Sequence, residues 1–178
     1  MSKYTALKSP ATTGKTIARL VSMALLLGLL LGLSACASFA ITTPPEMVEV
    51  TTEYDKLFDY RATTIDGVAL GVRVLDEPAG PEAKSPGEDF WVEAIKRRMR
   101  LQKGYALLGE EKTTSANGHK GTLLKFGRDQ HDVTFIYWLT IYRTDDNLHL
   151  VDAGGRKDHF EKALPTIQKA LSSYEVNP

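Results

Sequence analysis

The feature that most constrains this chain is an apolar run near its beginning, from Leu20 to Leu33. Apart from Ser22 and two glycines, every residue in the run is apolar. As a helix, its roughly 14 residues would be about 21 Å long, whereas the hydrocarbon core of a bilayer is about 30 Å thick. The run is therefore suited to starting export and poorly suited to remaining in the membrane as a spanning helix.

The flanks of this run complete a secretory leader. Met1 to Arg19 contains basic but no acidic residues, a charge pattern that sets the direction of insertion. The run is followed by Leu33-Ser34-Ala35-Cys36, which resembles the lipobox of bacterial lipoproteins. That resemblance implies a signal peptidase that recognises Leu33, Ser34 and Ala35, a cut before Cys36, and a diacylglyceryl group on the cysteine sulfur. The alternative is an uncleaved signal anchor or a chance cysteine.

Lipidation would decide where the protein resides. One acyl chain gives only marginal membrane binding, whereas two or more chains hold firmly. In bacteria of the enterobacterial type, an aspartate directly after the lipidated cysteine tends to retain a lipoprotein in the inner membrane, and here Ala37 and Ser38 follow Cys36. We therefore expect a lipid-anchored protein of the cell envelope, with the outer membrane, facing the periplasm, favoured over the inner membrane.

Composition narrows the function of the mature chain. The whole sequence has 22 basic and 22 acidic residues, and four of the basic ones lie in the leader, which leaves 18 against 22. A formally negative chain offers no broad basic field for phosphates, so a nucleic-acid partner is disfavoured. Cys36 is the only cysteine, so the fold must be stable without disulfides.

The sequence predicts three segments. Residues 1–35 form the signal peptide, and residues 36–46 form the lipidated cysteine with an extended tether, because Thr42-Thr43-Pro44-Pro45 disfavours helix. Residues 47–178 form a single α/β domain. It begins with a hairpin of Tyr54 to Thr64 and Val68 to Leu75, joined by Asp66-Gly67.

The remaining elements follow from periodicity and turn residues. A helix is predicted to start at Ser85-Pro86-Gly87-Glu88, with Asp89 as an alternative cap, to face the sheet with Trp91, Ile95 and Met99, and to end at Gly104. Strands are then predicted at residues 105–108, 121–126, 133–143 and 148–153, with turns at Asn117-Gly118 and at residues 145–147. Gly154-Gly155 should turn the chain into a closing helix that Pro165 divides into two.

This element order is similar to the PsbP-like family. The similarity extends from about Leu57 to Tyr174 and lies chiefly in Gly121 to Ser173, with the aromatic strand, the small-residue turn and the last helix. It implies an α+β fold in which helices pack on an antiparallel β-sheet, the α/β/α sandwich of that family. Residues 57–61 lack the proline and tryptophan that often follow the family's first strand. Family members act as assembly or stabilising partners of larger complexes more often than as enzymes.

The sequence predicts no catalytic, cofactor-binding or metal-binding residues. The four histidines show no helical zinc spacing, and the group Asp129, His131 and Asp132 fits a polar turn better than a metal site. Gly154-Gly155 before a helix could expose amides to an anion, or form a tight turn. The basic cluster of the main helix could meet an acidic partner or anionic headgroups, or simply face solvent; it comprises Lys96, Arg97, Arg100 and Lys103.

The sequence thus predicts a membrane-anchored envelope lipoprotein, not an enzyme, that acts as a protein-interaction or assembly module. Its partners would be the membrane, through lipidated Cys36, and an envelope protein. The aromatic residues Tyr137, Trp138 and Tyr142 could line a pocket, although central-strand aromatics usually belong to the core. The alternative function is therefore a periplasmic carrier that holds a small apolar ligand between sheet and helix; a hydrolase has little support.

Overall fold

The structure is a computed structural model that describes residues 37–51, 57–77 and 86–177. The elements, in chain order, are β1 (Phe39–Ala40), β2 (Met47–Glu49), β3 (Tyr60–Thr64), β4 (Ala69–Asp76), α1 (Glu88–Lys103), β5 (Ala106–Thr114), β6 (Lys120–Gln130), β7 (Val133–Arg143), β8 (Asn147–Arg156), α2 (Lys157–Ser172) and β9 (Glu175–Val176). Seven strands form one antiparallel sheet in the order β2-β3-β4-β8-β7-β6-β5, and two short strands, β1 and β9, form a separate pair.

The two helices cover opposite faces of the large sheet. On one face, α2 buries Phe160, Ile167 and Ala170 against apolar residues of β3, β4, β7 and β8. On the other face, α1 packs Trp91, Ile95 and Met99 against apolar residues of β6, β7 and β8. The predicted α+β class, with helices on an antiparallel sheet in an α/β/α sandwich, is confirmed.

Several element predictions agree with the structure. β7 has the predicted bounds and lies inside the sheet between β8 and β6, because a strand that is apolar on both faces needs cover from both sides. The hairpin turn places Gly67 at a φ of 78°, and Gly118 in the next predicted turn has a φ of 93°. Both angles lie in the left-handed region that glycine tolerates.

The main helix ends as predicted but begins differently. Gly104 closes α1 at a φ of 68°. The cap at the other end is Gly87, which makes no side-chain cap hydrogen bond, and the predicted cap Ser85 lies outside the described residues. Glu88, the predicted partner in a capping box, accepts a hydrogen bond from the Thr122 hydroxyl at 2.5 Å. Acidic residues in the first turn still complement the helix dipole.

Three strands are longer than the sequence predicted. β5 continues past Leu108 to Thr114, with an irregularity in its register between Leu107 and Gly109. Such an irregularity interrupts the alternation of apolar and polar residues by which a strand is recognised in the sequence. β6 likewise continues to Gln130. The predicted turn at Gly154-Gly155 is wrong, because both glycines are paired within β8. A Cβ at Gly154 would lie 2.9 Å from the Tyr137 ring, so close packing of that ring explains the glycine.

The closing helix is not divided. α2 runs unbroken from Lys157 to Ser172 with Pro165 inside it, which contradicts the predicted break. Proline removes one helical hydrogen bond and crowds the carbonyl four residues earlier. Pro165 is exposed, while the opposite stripe with Phe160 and Ile167 is buried. The burial of that stripe offsets the local cost of the proline.

The segment predicted to be a tether lies against the domain. Phe39–Ala40 pairs with Glu175–Val176, and the Asn177 side chain donates a hydrogen bond to the Ala37 carbonyl at 2.9 Å. The backbone amide of Thr42 donates to the Ser173 hydroxyl at 2.9 Å. The backbone of this segment is extended, as expected. Its polar groups are hydrogen-bonded to residues 173–177, so the segment is not a free spacer. Neither helix in residues 37–51, 57–77 and 86–177 has the length and apolar character needed to cross a membrane.

A buried histidine lies under this segment. His149 is fully buried, and its Nδ1 shares a hydrogen bond with the Tyr174 hydroxyl at 2.8 Å. Burial, helped by the charge of nearby His119 and opposed by Asp59, lowers the pKa of His149 to about 4. The imidazole therefore stays neutral in the folded protein at pH values where an unfolded histidine would be protonated.

We expect this histidine to make the domain less stable in mild acid. Its pKa is 6.5 when unfolded and about 4 when folded, so below pH 6.5 the unfolded chain binds a proton that the folded chain does not. The stability contributed by His149 is complete above pH 6.5 and falls by about 3 kcal/mol as the pH drops to 4. Urea unfolding at several pH values should show a shallower dependence for His149→Gln than for wild type. The control His131→Asn, at an exposed turn, should keep the wild-type dependence. Equal slopes for all three proteins would contradict the expectation.

Candidate functional site

A half-buried carboxylate, that of Asp152, occupies the face of the sheet that carries α1. Asp152 of β8 lies opposite Gly71 of β4 and one strand away from Tyr137 of β7. The Tyr137 hydroxyl donates a hydrogen bond to Asp152 Oδ2 at 2.6 Å. Burial is the main cause that raises the pKa of Asp152, and the hydrogen bond from Tyr137 opposes it. Burial and the neighbouring Asp152 charge also raise the pKa of Tyr137, which keeps its proton and remains a donor.

Two arginines flank this carboxylate. The guanidinium carbons of Arg61 and Arg73 lie 4.9 and 5.5 Å from the centre of the Phe58 ring, within the range of cation–π attraction. Both positive charges act to lower the pKa of Asp152, against the larger effect of burial. We call Phe58, Arg61, Arg73, Tyr137 and Asp152 the Asp152 cluster.

The Asp152 cluster has charge pairing but little room. The cavity above it has a volume of about 210 Å³, below the roughly 300 Å³ at which ligand pockets usually begin. Although the Tyr137 hydroxyl is within hydrogen-bond distance of a carboxylate, its raised pKa disfavours the phenolate, so the pair is not an activated nucleophile. The cluster therefore fits a buried polar connection between β4, β7 and β8.

A larger groove opens beside it, between α1 and the sheet. Its volume is about 320 Å³. Its apolar lining comes from both layers and includes Trp91, Ile95, Met99, Leu139, Leu148 and Leu150. Three cationic residues, Arg73, Arg98 and Lys103, also line it. We call this space the α1 groove; it combines an apolar surface with positive charge.

The outer side of α1 carries the predicted basic cluster, which the structure divides. Lys96 donates hydrogen bonds to Glu93 at 2.5 Å and to Glu110 at 3.0 Å, and these bonds raise its pKa. Lys96, Arg97 and Arg100 line a second surface hollow of about 390 Å³, together with Glu93 and two leucines of α1 and β5. Lys103 lines the α1 groove instead. Three of the four cations thus share one hollow, and the fourth lies apart.

The other predicted site residues are accounted for as follows. Cys36 and the recognition residues Leu33, Ser34 and Ala35 lie outside the described residues. His131 and Asp132 form a turn, with φ values of 48° and 61°. Within residues 37–51, 57–77 and 86–177, no group of three histidine, cysteine or acidic side chains could hold a metal. Gly154-Gly155 lies inside β8, and α2 begins only at Lys157, so these two glycines do not form the start of α2 as an anion site would require.

Sequence reasoning missed the groove's main cation. Arg73 lies in an otherwise apolar stretch of β4, between Val72 and Val74. A lone charge at an alternate position of such a strand indicates a polar partner or ligand on that face. That signal is visible in the sequence, whereas its proximity to Trp91 and Tyr137 depends on the sheet order and on where α1 lies.

Comparisons with known proteins point to the fold. No protein-family model matches the chain, and no curated protein sequence matches it. Among solved structures, the chain is similar to LpqN of Mycobacterium tuberculosis, a protein involved in cell envelope biogenesis. The TM-score is 0.63 and the sequence identity is 7%, and the match covers 79% of this chain and 83% of LpqN. It is also similar to cyanobacterial PsbP from Synechocystis sp. PCC 6803, with a TM-score of 0.50 and 15% identity over 82% and 96% of the two chains.

At these low identities the likeness establishes the architecture alone. The expected PsbP-like fold is confirmed by the neighbour from Synechocystis and by the helices on both faces of the sheet. The proline and tryptophan missing after the first strand do not prevent the fold. Phe58 lies in that region and closes over Gly71, where an added Cβ would come within 2.7 Å of its ring.

Proposed function

We propose that this protein is an envelope lipoprotein, held to a membrane by lipid on Cys36, whose PsbP-like domain acts as a non-catalytic interaction or assembly module. The leader and the lipobox pattern support the anchor. The similar LpqN structure belongs to a protein of cell envelope biogenesis, which supports an envelope role. The outer membrane, facing the periplasm, is the proposed location, since no aspartate follows Cys36.

The anchor would hold the domain close to the bilayer. The Ala37 carbonyl accepts a hydrogen bond from Asn177, and Phe39–Ala40 is paired with β9. Because Ala37 directly follows Cys36, almost no free chain would separate the lipid from the folded domain. A domain fixed in this way suits a partner that is itself at the membrane surface.

One surface supports partner binding more than the rest, and this surface carries the proposal. β5 is the last strand of the sheet and pairs only with β6 among the described strands, so one side of it is open. Beside that edge, Leu101 is 67% and Leu107 42% exposed. Arg97 and Arg100 line the same hollow, as do Lys96 and Glu93, which pair with each other. We call Arg97, Arg100, Leu101 and Leu107 the edge patch. Apolar residues bordered by cations fit a protein partner with an acidic rim.

Site-specific crosslinking in cells tests this proposal. A photo-reactive amino acid is placed at Leu101 of the full chain, and a matched one at the exposed Glu161 of α2 on the opposite face. We expect Leu101, and not Glu161, to capture one envelope protein, with at least a fivefold loss when Arg97→Glu and Arg100→Glu are combined. Failure to capture any envelope protein from Leu101, or equal capture from Glu161, would count against the interaction module.

A further inference from the structure

The α1 groove carries two buried donors that lack acceptors. The Nε1 atom of Trp91 and the Nε atom of Arg73 are buried and have no hydrogen-bond partner among the described residues. Both residues line the groove. A buried N–H group without a partner costs free energy, so such groups usually meet an acceptor from water or a ligand. Both atoms are closed to solvent, so an acceptor in the groove would reach them only after a small shift of the Trp91 and Arg73 side chains.

The charge of the groove specifies that acceptor further. Arg73, Arg98 and Lys103 line it, and no acidic residue is among its described lining residues. Asp152, in the neighbouring cluster, attracts Arg73 and offsets part of its charge, whereas Arg98 and Lys103 lie outside that cluster. Three cations beside one apolar surface match a ligand with a negative head.

The apolar part of the groove specifies the rest of the ligand. α1 packs on β5 and β7. The groove opens next to α1, over β4 and β8. Leu75 of β4 is 44% exposed there, and Leu150 of β8 forms part of the floor. Its volume of about 320 Å³ is at the low end of the range for ligand pockets. That volume favours a single medium-length alkyl chain over a lipid with two chains.

We propose that the α1 groove binds a single-chain carboxylate amphiphile. The carboxylate accepts hydrogen bonds from Arg73 Nε and Trp91 Nε1, with Arg98 and Lys103 adding positive charge at the rim. The alkyl chain lies along Ile95, Met99 and the leucines of β8. The carrier considered from the sequence would hold a small apolar ligand, whereas the ligand proposed here also has a negatively charged head.

The proposal is independent of the interaction module and of the edge patch. Trp91, Ile95 and Met99 pack towards the sheet, whereas Arg97 and Leu101 are exposed and line a different hollow. Variants of one surface therefore need not disturb the other. Loss of partner crosslinking and loss of ligand binding are separate results.

Photoaffinity labelling of the full chain in its native membranes tests the proposal. The probes are a diazirine-bearing decanoate and the matching diazirine-bearing decanol, and labelled peptides are mapped by mass spectrometry. We expect the acid to label peptides of α1 and β8 at least tenfold more than the alcohol, because only the acid offers a charged acceptor. Arg73→Gln should reduce labelling by the acid at least tenfold, while Arg97→Gln, on the exposed side of the same helix, should leave it unchanged.

Two further variants keep the test decisive if Arg73→Gln does not fold. Trp91→Phe keeps an aromatic ring but removes the Nε1 donor, and Arg98→Gln removes a rim charge; each should lower labelling by the acid severalfold. Equal labelling by acid and alcohol, labelling outside the groove, or full labelling of both folded variants would overturn the proposal. Those results would mean that no ligand pairs with the two donors and that the cations only face solvent.

Discussion

Replacement of Tyr174 by alanine is expected to lower the free energy of unfolding by about 3–5 kcal/mol, the usual cost of deleting a large buried aromatic side chain. Tyr174 is fully buried. Its ring stacks on Tyr142 at a centroid distance of 5.6 Å and on Phe39 at 5.8 Å. Its hydroxyl shares a hydrogen bond with His149. The alanine variant would lose all of these contacts and leave a cavity, as measured by urea unfolding.

Tyr174→Phe is the matched control because it keeps the ring and removes only the hydroxyl. It should cost about 1–2 kcal/mol, since the buried His149 Nδ1 then lacks its partner. The loss of stacking in Tyr174→Ala should also loosen the Ala37 to Ile41 segment, which hydrogen exchange would detect as faster exchange of its paired amides. An alanine variant no less stable than the phenylalanine variant would contradict the packing role of the ring.

Replacement of Arg143 by methionine is the second large effect we expect. The Glu77 carboxylate is only 2% exposed and accepts hydrogen bonds from Arg143 Nε at 2.8 Å and from its Nη2 atom at 3.2 Å. Without the arginine, a buried carboxylate has no counter-charge, which typically costs about 3–5 kcal/mol. Thermal or urea unfolding of the single variant measures that loss.

A double variant separates the ion pair from the shape of the side chains. Glu77→Leu combined with Arg143→Met removes both charges, so the double variant should be more stable than Arg143→Met alone. If the two substitutions instead add their costs, the pair is not electrostatically coupled. The pair matters for the architecture because it joins the end of β7 to the residue that follows β4, on the other side of β8.

Much of the fold could be predicted because its strongest signals are local. The apolar run of β7 and the glycine after α1 are decided by neighbours in the chain. The failures occurred where distant contacts outweigh local preference. Gly154-Gly155 resembles a turn but lies in a strand beside Tyr137, and Pro165 resembles a helix break but lies in a helix whose other face is buried.

The candidate sites were less predictable than the fold. Trp91 was correctly expected to face the sheet, but nothing in the sequence indicated that Arg73 would line the same groove. That arrangement depends on β4 lying next to β8 and on α1 packing over β5 and β7. The lipobox pattern, in contrast, is read directly from adjacent residues, which is why it needs no fold to be recognised.

The intact mass of the protein, extracted from membranes of its own cells, tests lipid anchoring through Cys36 most directly. We expect a chain that begins at Cys36 and carries a diacylglyceryl group on the sulfur. Cys36→Ser should abolish that species. A protein in the same membrane extract that keeps the residues before Cys36 and carries no lipid would contradict the proposed anchor.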